Sequence, residues 1–202
     1  MNDKRAGTLL PEVFVHLLVF ILLDRPAGDC YASRHQVRIG MKEIGSTSDI
    51  LEKLQAFVHQ NADDIISDTR KLISFETVSG GSEEQEAKYR EQIPACFQWL
   101  KEKAAQFGFR FQHWDNRVGE IEWPAGVKGN DNKLRSVGIA SHIDVVTPVG
   151  QWKFDPFEGG IEDGYLYGRG IQDDKGPLIQ VLYGMAALKN AGIELPFDVR
   201  II

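Results

Sequence analysis

Two short clusters in this chain combine residue types that can hold a metal ion. The first is Ser141-His142-Ile143-Asp144, and the second is Tyr167-Gly168-Arg169-Gly170-Ile171-Gln172-Asp173-Asp174-Lys175-Gly176-Pro177. In an extended segment residues i and i+2 project to one face, so the His142 imidazole and the Asp144 carboxylate can meet. A carboxylate bonded to one ring nitrogen fixes the tautomer and leaves the other nitrogen free for a metal. Taken alone, His-x-Asp is explained as well by a strand-end histidine satisfied by a nearby acid. The second cluster asks for more. Asp173 and Asp174 are adjacent, framed by Gly168, Gly170 and Gly176, and stand just before a helical pattern. Glycines let a chain turn sharply and approach another group closely. Carboxylates at such a turn suit a divalent cation, and one of them can bridge two ions. A helix dipole favours a nearby acid, which accounts for one aspartate but not for the glycine-framed pair.

Rival chemistries fit less well. Gly-Arg-Gly-Ile-Gln-Asp-Asp-Lys-Gly lacks the spacing of a phosphate-binding loop and sets two acids where phosphate would sit. Ser141 lies in strand rhythm without the Gly-x-Ser-x-Gly elbow of a nucleophile, so it reads as structural. The other histidines are weaker ligand candidates. His16 and His35 precede the globular pattern, His59 falls on a helix, and His113 sits in a strand beside Trp114. The two cysteines, Cys30 and Cys96, form no ligand-spaced cluster. Cys96 falls on an apolar helical stripe and reads as a buried thiol.

The elements that must position these clusters follow from periodicity. Ser48 or Asp49 can cap a helix carrying Ile50, Leu51, Leu54, Phe57 and Val58. A second helical stretch turns Ile65, Ile66, Leu72 and Ile73 inward. Val78 to Glu84 is a polar, glycine-containing loop. Ile93, Cys96, Phe97, Leu100, Ala104 and Phe107 then recur at helical steps, and Gly108 is placed to end that helix. Arg110 to Trp114 and Val118 to Trp123 alternate as a hairpin, and Pro124 to Lys133 read as a surface turn. Ser136 to Ile143 is expected to be a buried strand, with His142 near its carboxyl end, where ligands of α/β sheets bind. Asp163-Gly164 signals a two-residue hairpin. Pro177 suits the first turn of a helix bearing Leu178, Val181, Leu182, Met185 and Leu188, which Gly192 closes. Phe197 to Ile202 begins another buried strand. This order predicts an α/β fold with helices packed on a mixed sheet.

Composition narrows the partners. The 202 residues are 43% hydrophobic and 26% charged, with a formal net charge of -6. An acidic chain without a basic patch gains nothing from phosphate backbones, which argues against nucleic acid. The first forty residues differ from the rest: Val13 to Leu23 is an apolar run of eleven behind Lys4 and Arg5. That run is too short to span a membrane. It reads as a mis-assigned leader with translation starting at Met41, or as a signal-peptide core with cleavage near Ala32. The first reading places the protein in the cytoplasm and the second exports it. From Met41 onward the chain reads as an ordinary soluble protein that begins with a capped helix.

Ser141-His142-Ile143-Asp144-Val145-Val146, then Trp152 with Asp155-Pro156-Phe157, then the Asp163 to Pro177 segment resemble the dinuclear zinc aminoacylase and carboxypeptidase family. Within it they are most similar to the PepV-like and carnosinase-like dipeptidases. The resemblance is strongest from about Ser136 to Ile202. It implies that His142 ligates one zinc ion, that Asp144 orients His142, and that Asp173 bridges two zinc ions. It also implies that Asp174 shapes the turn, often through a cis peptide between the two acids, and that Lys175, Gly176 and Pro177 start the supporting helix. The implied reaction is hydrolysis of a dipeptide or short peptide by zinc-activated water, with cobalt or manganese as alternative metals. Further ligands, the base glutamate and the lid domain of that family would lie beyond Ile202. Residues 41–202 are therefore expected to be the N-terminal portion of the zinc-dependent peptidase catalytic domain, truncated before its catalytic glutamate, so that the chain binds zinc weakly without turnover. The alternatives are a related amidohydrolase, such as an acylamino-acid deacylase or carboxypeptidase, and a non-catalytic remnant of the fold.

Overall fold

A computed structural model describes residues 47–126 and 136–202. The leader with Val13 to Leu23, His16, Cys30, Ala32, His35 and Met41, and most of the Pro124 to Lys133 turn, lie outside the described residues. The elements run α1 (Thr47–Gln60), α2 (Ala62–Ser74), α3 (Glu83–Gln106), β1 (Arg110–Trp114), β2 (Val118–Trp123), β3 (Ser136–Ile139), β4 (Gly160–Glu162), β5 (Tyr165–Tyr167), α4 (Lys175–Asn190) and β6 (Asp198–Ile201). Among the described residues no helix is long and apolar enough to cross a membrane.

Four strands form one mixed sheet in the order β1-β2-β6-β3, antiparallel except where β6 meets β3. Opposite residues alternate in character along β2 and β6. Ile121 faces Ile201 and Trp123 faces Val199, and all four are buried. One residue on, Arg200 sits opposite Glu122 and bonds it at 3.0 Å, with Asp198 at 3.2 Å. A period of two thus gives the sheet one apolar row and one ionic row.

Helix α4 packs against α1, α2 and β6, and its residues are buried on nearly every side, from Leu178 through Leu188. A helix hydrophobic all round belongs at the centre of a layered domain. Its start is consequently a rigid platform for the turn that precedes it. Helix α3 packs against the β1–β2 hairpin through Ile93, Phe97 and Leu100, with Cys96 fully buried as expected. That helix begins inside the segment expected to be loop: Ser82 and Gln85 exchange hydrogen bonds in a capping box, so α3 starts at Glu83. Gly108, at φ +68, ends it.

Two further expectations need correction. The strand expected over Ser136 to Ile143 stops at Ile139 and is largely exposed, because β3 is an edge strand with β6 as its sheet neighbour. His142 therefore lies in the irregular segment after the strand. In α2, Leu72 and Ile73 are buried but Ile66 is 40% exposed, and Asp68 and Thr69 take the inward positions. The Asp163-Gly164 hairpin forms as read, with β4 and β5 paired around two residues of positive φ.

Candidate metal centre

The turn carrying the paired acids is built by close backbone packing. Gly170 adopts φ +92, a conformation that L side chains rarely take. The Gly170 carbonyl then accepts a hydrogen bond from the Gly176 N–H at 3.2 Å. At Gly176 an added Cβ would lie 1.9 Å from the Ile171 carbonyl oxygen. The chain folds back onto the start of α4, and only a residue without a side chain permits it. The peptide between Asp173 and Asp174 is cis. Asp174 occupies the cap of α4 through its backbone, its carbonyl accepting from Leu178 N–H at 3.0 Å, and its side chain makes no cap bond. The Trp152 and Asp155-Pro156-Phe157 motif braces this turn from outside. Asp155 Oδ1 accepts from the Phe157 N–H at 2.8 Å, the Pro156 carbonyl accepts from the Arg169 N–H at 2.7 Å, and the Arg169 guanidinium lies 5.2 Å from the Trp152 ring centre.

Against this turn stands the segment holding His142. Its Nε2 lies 2.9 Å from Asp173 Oδ1, although the two residues are 31 apart in the chain. Its Nδ1 lies 3.0 Å from the Asp144 backbone carbonyl and 3.4 Å from Asp144 Oδ1. The fold therefore brings His142, Asp144 and Asp173 together. It differs from the sequence expectation in one respect: the nearer acceptor for Nδ1 is the Asp144 carbonyl, because beyond Ile139 the chain is no longer a strand. Partial desolvation lowers the His142 pKa. Bonds to the Asp144 carbonyl and the Asp173 carboxylate outweigh that effect and lift it above the ordinary histidine value.

The 143–145 segment is fastened to residues 77–79 by a parallel bridge between Val78 and Val145. Val145 N–H donates to the Thr77 carbonyl at 2.8 Å and Ser79 N–H to the Val145 carbonyl at 3.0 Å. The Thr77 hydroxyl donates to the Ile143 carbonyl, and the Ser79 hydroxyl donates to Asp144 Oδ2 at 2.7 Å. Thr77 and Ser79 were not singled out from the sequence. The available signal was a hydroxyl pair spaced by two, which carries little without its distant partner. Below the turn, Lys175 is fully buried and donates to the Phe75 carbonyl at 2.6 Å. Desolvation brings its pKa down to about 8, against the pull of surrounding negative groups that include Asp144.

A cavity of about 280 Å³ opens beside His142 and Asp144, with Tyr89, Arg117 and Ser141 also in its wall. Ser141, read as structural, has a buried hydroxyl without a protein partner. Burial first, and then the neighbouring Asp144, raise the Tyr89 pKa. His59 and His113 are both exposed, and His113 makes tilted ring contacts with Phe97 and Phe111.

Imidazole nitrogen with carboxylate oxygen is a donor pair that zinc accepts, and donors about 2.0–2.1 Å from a tetrahedral ion stand roughly 3.3 Å apart. The 2.9 Å between His142 Nε2 and Asp173 Oδ1 is close to that separation. Asp173 has a side chain 87% exposed, which leaves its second oxygen open to solvent. The pair fits as two ligands of a metal ion. Among the described residues no third histidine, cysteine or acid joins it as a ready cluster.

Residues 138–202 match the model of peptidase family M20/M25/M40. YtjP of Bacillus subtilis (strain 168), named as a proposed dipeptidase, is 32% identical over 146 residues, covering 72% of this chain and 30% of that protein. The N-formyl-4-amino-5-aminomethyl-2-methylpyrimidine deformylase of the same organism is 32% identical over 148 residues, covering 72% and 33%. The beta-Ala-Xaa dipeptidase of Lactobacillus delbrueckii subsp. lactis is 43% identical over 93 residues, covering 45% and 18%. Human carnosine dipeptidase 1 superposes with a TM-score of 0.58 at 19% identity, covering 75% of this chain and 33% of that one. The chain thus spans about a third of the length of the first relatives it matches. The resemblance read from the motifs is shown by these matches, and the α/β fold agrees with the superposed structure.

Proposed function

We propose that this chain supplies the N-terminal portion of a zinc-dependent hydrolase that cleaves the amide bond of dipeptides or short peptides. The observation that carries the reading is the meeting of His142 Nε2 with Asp173 Oδ1 at 2.9 Å, on two segments that the motifs single out independently. His142 and Asp173 would hold the metal, and the exposed oxygen of Asp173 would reach a second ion. Zinc, when bound, lowers the pKa of a bound water and polarises the amide carbonyl. The residues of this chain prepare for that chemistry. The Asp144 acceptors keep the proton on His142 Nδ1, so that Nε2 presents its lone pair. The packed turn at Gly170 and Gly176 fixes Asp173 just ahead of the rigid start of α4. Cobalt or manganese would suit the same donors.

A catalytic zinc usually takes three protein ligands. We assign completion of the site, and the base that takes the proton of the attacking water, to residues outside these 202. That assignment agrees with the third of their length over which the relatives match. A second reading, a related amidohydrolase, draws support from the deformylase relative, since removal of a formyl group also breaks a C–N amide bond. In that reading the donors keep their roles and the acyl group changes.

Hydrolysis of dipeptides and of N-acyl amines in zinc, by the 202-residue chain and by a longer product of the same reading frame, tests the proposal. Dipeptide cleavage by the longer product, falling at least about a thousandfold with His142→Ala or Asp173→Ala, is the expected result. Preference for the N-acyl amine selects the second reading. Cleavage by the short chain that survives both substitutions contradicts either one, and no hydrolysis by the longer product favours the non-catalytic remnant.

A further inference from the structure

The Asp144 carboxylate has two oxygens with separate tasks. Oδ2 accepts the Ser79 hydroxyl at 2.7 Å, while Oδ1 stands 3.4 Å from His142 Nδ1. The side chain of Asp144 is 44% exposed, so packing alone does not fix its rotation. The backbone around it is held independently of the Ser79 side chain. Val145 N–H bonds the Thr77 carbonyl, Ser79 N–H bonds the Val145 carbonyl, and the Thr77 hydroxyl bonds the Ile143 carbonyl. What the Ser79 hydroxyl adds to this frame is control of the carboxylate torsion. With Oδ2 engaged, Oδ1 is turned toward the imidazole.

We propose that Ser79 is a positioning residue whose hydroxyl aims the Asp144 carboxylate at His142 Nδ1, adding to the Asp144 carbonyl in holding the Nδ1–H tautomer that leaves Nε2 free for the metal. The inference rests on the metal-binding reading of His142 and Asp173. It concerns a residue outside both motifs, 65 positions from the group it orients. Asp173 Oδ1 competes for the histidine proton at Nε2, so the two acceptors at Nδ1, the Asp144 carbonyl at 3.0 Å and the Asp144 carboxylate at 3.4 Å, together decide which nitrogen carries it. Loss of the hydroxyl releases the carboxylate torsion and weakens the second of these acceptors, while the Asp144 carbonyl and the backbone frame stay in place.

The test compares Ser79→Ala, Ser79→Thr and the control Ser74→Ala, whose hydroxyl bonds only the Lys71 carbonyl of its own helix. Two quantities are read. One is the ring ¹⁵N shifts of His142 in metal-free protein at about pH 9, above the histidine titration range. The other is the dissociation constant for zinc chloride. In Ser79→Ala the ratio of Nδ1–H to Nε2–H tautomer falls about threefold or more. The zinc constant weakens about tenfold, as for other groups that orient a metal-binding histidine, with the melting temperature little changed. Ser79→Thr restores both readouts, and Ser74→Ala alters neither. An unchanged tautomer ratio in Ser79→Ala overturns the inference whatever the zinc result. Zinc binding indifferent to His142→Ala would instead overturn the metal-binding reading, while the tautomer ratio still decides the role of Ser79.

Discussion

At Gly176 the missing side chain is a steric requirement, since a methyl group there would meet the Ile171 carbonyl oxygen at 1.9 Å. The obstacle is backbone, which cannot swing aside as a side-chain end would. Gly176→Ala should therefore lower the free energy of unfolding by about 3 kcal/mol in urea titrations. Equal stability in the two proteins would mean that the turn relaxes freely and does not hold Asp173. This need for glycine was legible from Gly168, Gly170 and Gly176 around two acids, because close backbone approach is what glycine is for. The way His142 is oriented was not legible. The sequence pattern treats 142–144 as strand and pairs imidazole with carboxylate, whereas the structure gives the nearer contact to the Asp144 carbonyl. That outcome depends on where β3 stops, which is settled by pairing with β6, some sixty residues downstream.

Among the helices, one buried network ties three elements together. Asp68 on α2 is 8% exposed. It receives the Tyr183 hydroxyl of α4 at 2.5 Å and lies 2.8 Å from the Lys103 ammonium of α3. Burial, and then the bond to Asp68, raise the Tyr183 pKa well above its usual value, so the hydroxyl stays a donor throughout the neutral range. Tyr183→Phe removes one bond and leaves Asp68 paired with Lys103, at a cost of about 1 kcal/mol. Asp68→Ala strands a largely buried lysine and an unpaired hydroxyl together, at about 3 kcal/mol. Denaturant titration of the two variants checks the order, and equal losses would mean that Lys103 finds water when Asp68 is gone. The network also explains the misreading of α2. Apolar periodicity turned Ile66 inward, but partners on α3 and α4 turn Asp68 inward instead, and partners are invisible to a window along one helix. Helix α3 and the β1–β2 hairpin were read well because their signals are local: a 3- and 4-residue apolar repeat closed by Gly108, and two alternating runs close together.

For the molecule as a whole, a four-stranded sheet and a central helix carry two segments, 142–144 and 170–176, to one place. The element order and the α/β class were legible, since a helix apolar on every face must be covered on all sides. Strand order was not, because the placement of β6 between β2 and β3 depends on long-range pairing that no local pattern encodes. The account turns on whether His142 and Asp173 jointly hold a metal ion. The most direct measurement is zinc titration of the 202-residue chain by calorimetry, beside His142→Ala, Asp173→Ala and His113→Ala. The account predicts binding that is weak, since only two ligands meet, that falls at least about tenfold with either of the first two substitutions, and that is unchanged by the third. Zinc binding that persists equally in His142→Ala and Asp173→Ala would contradict it.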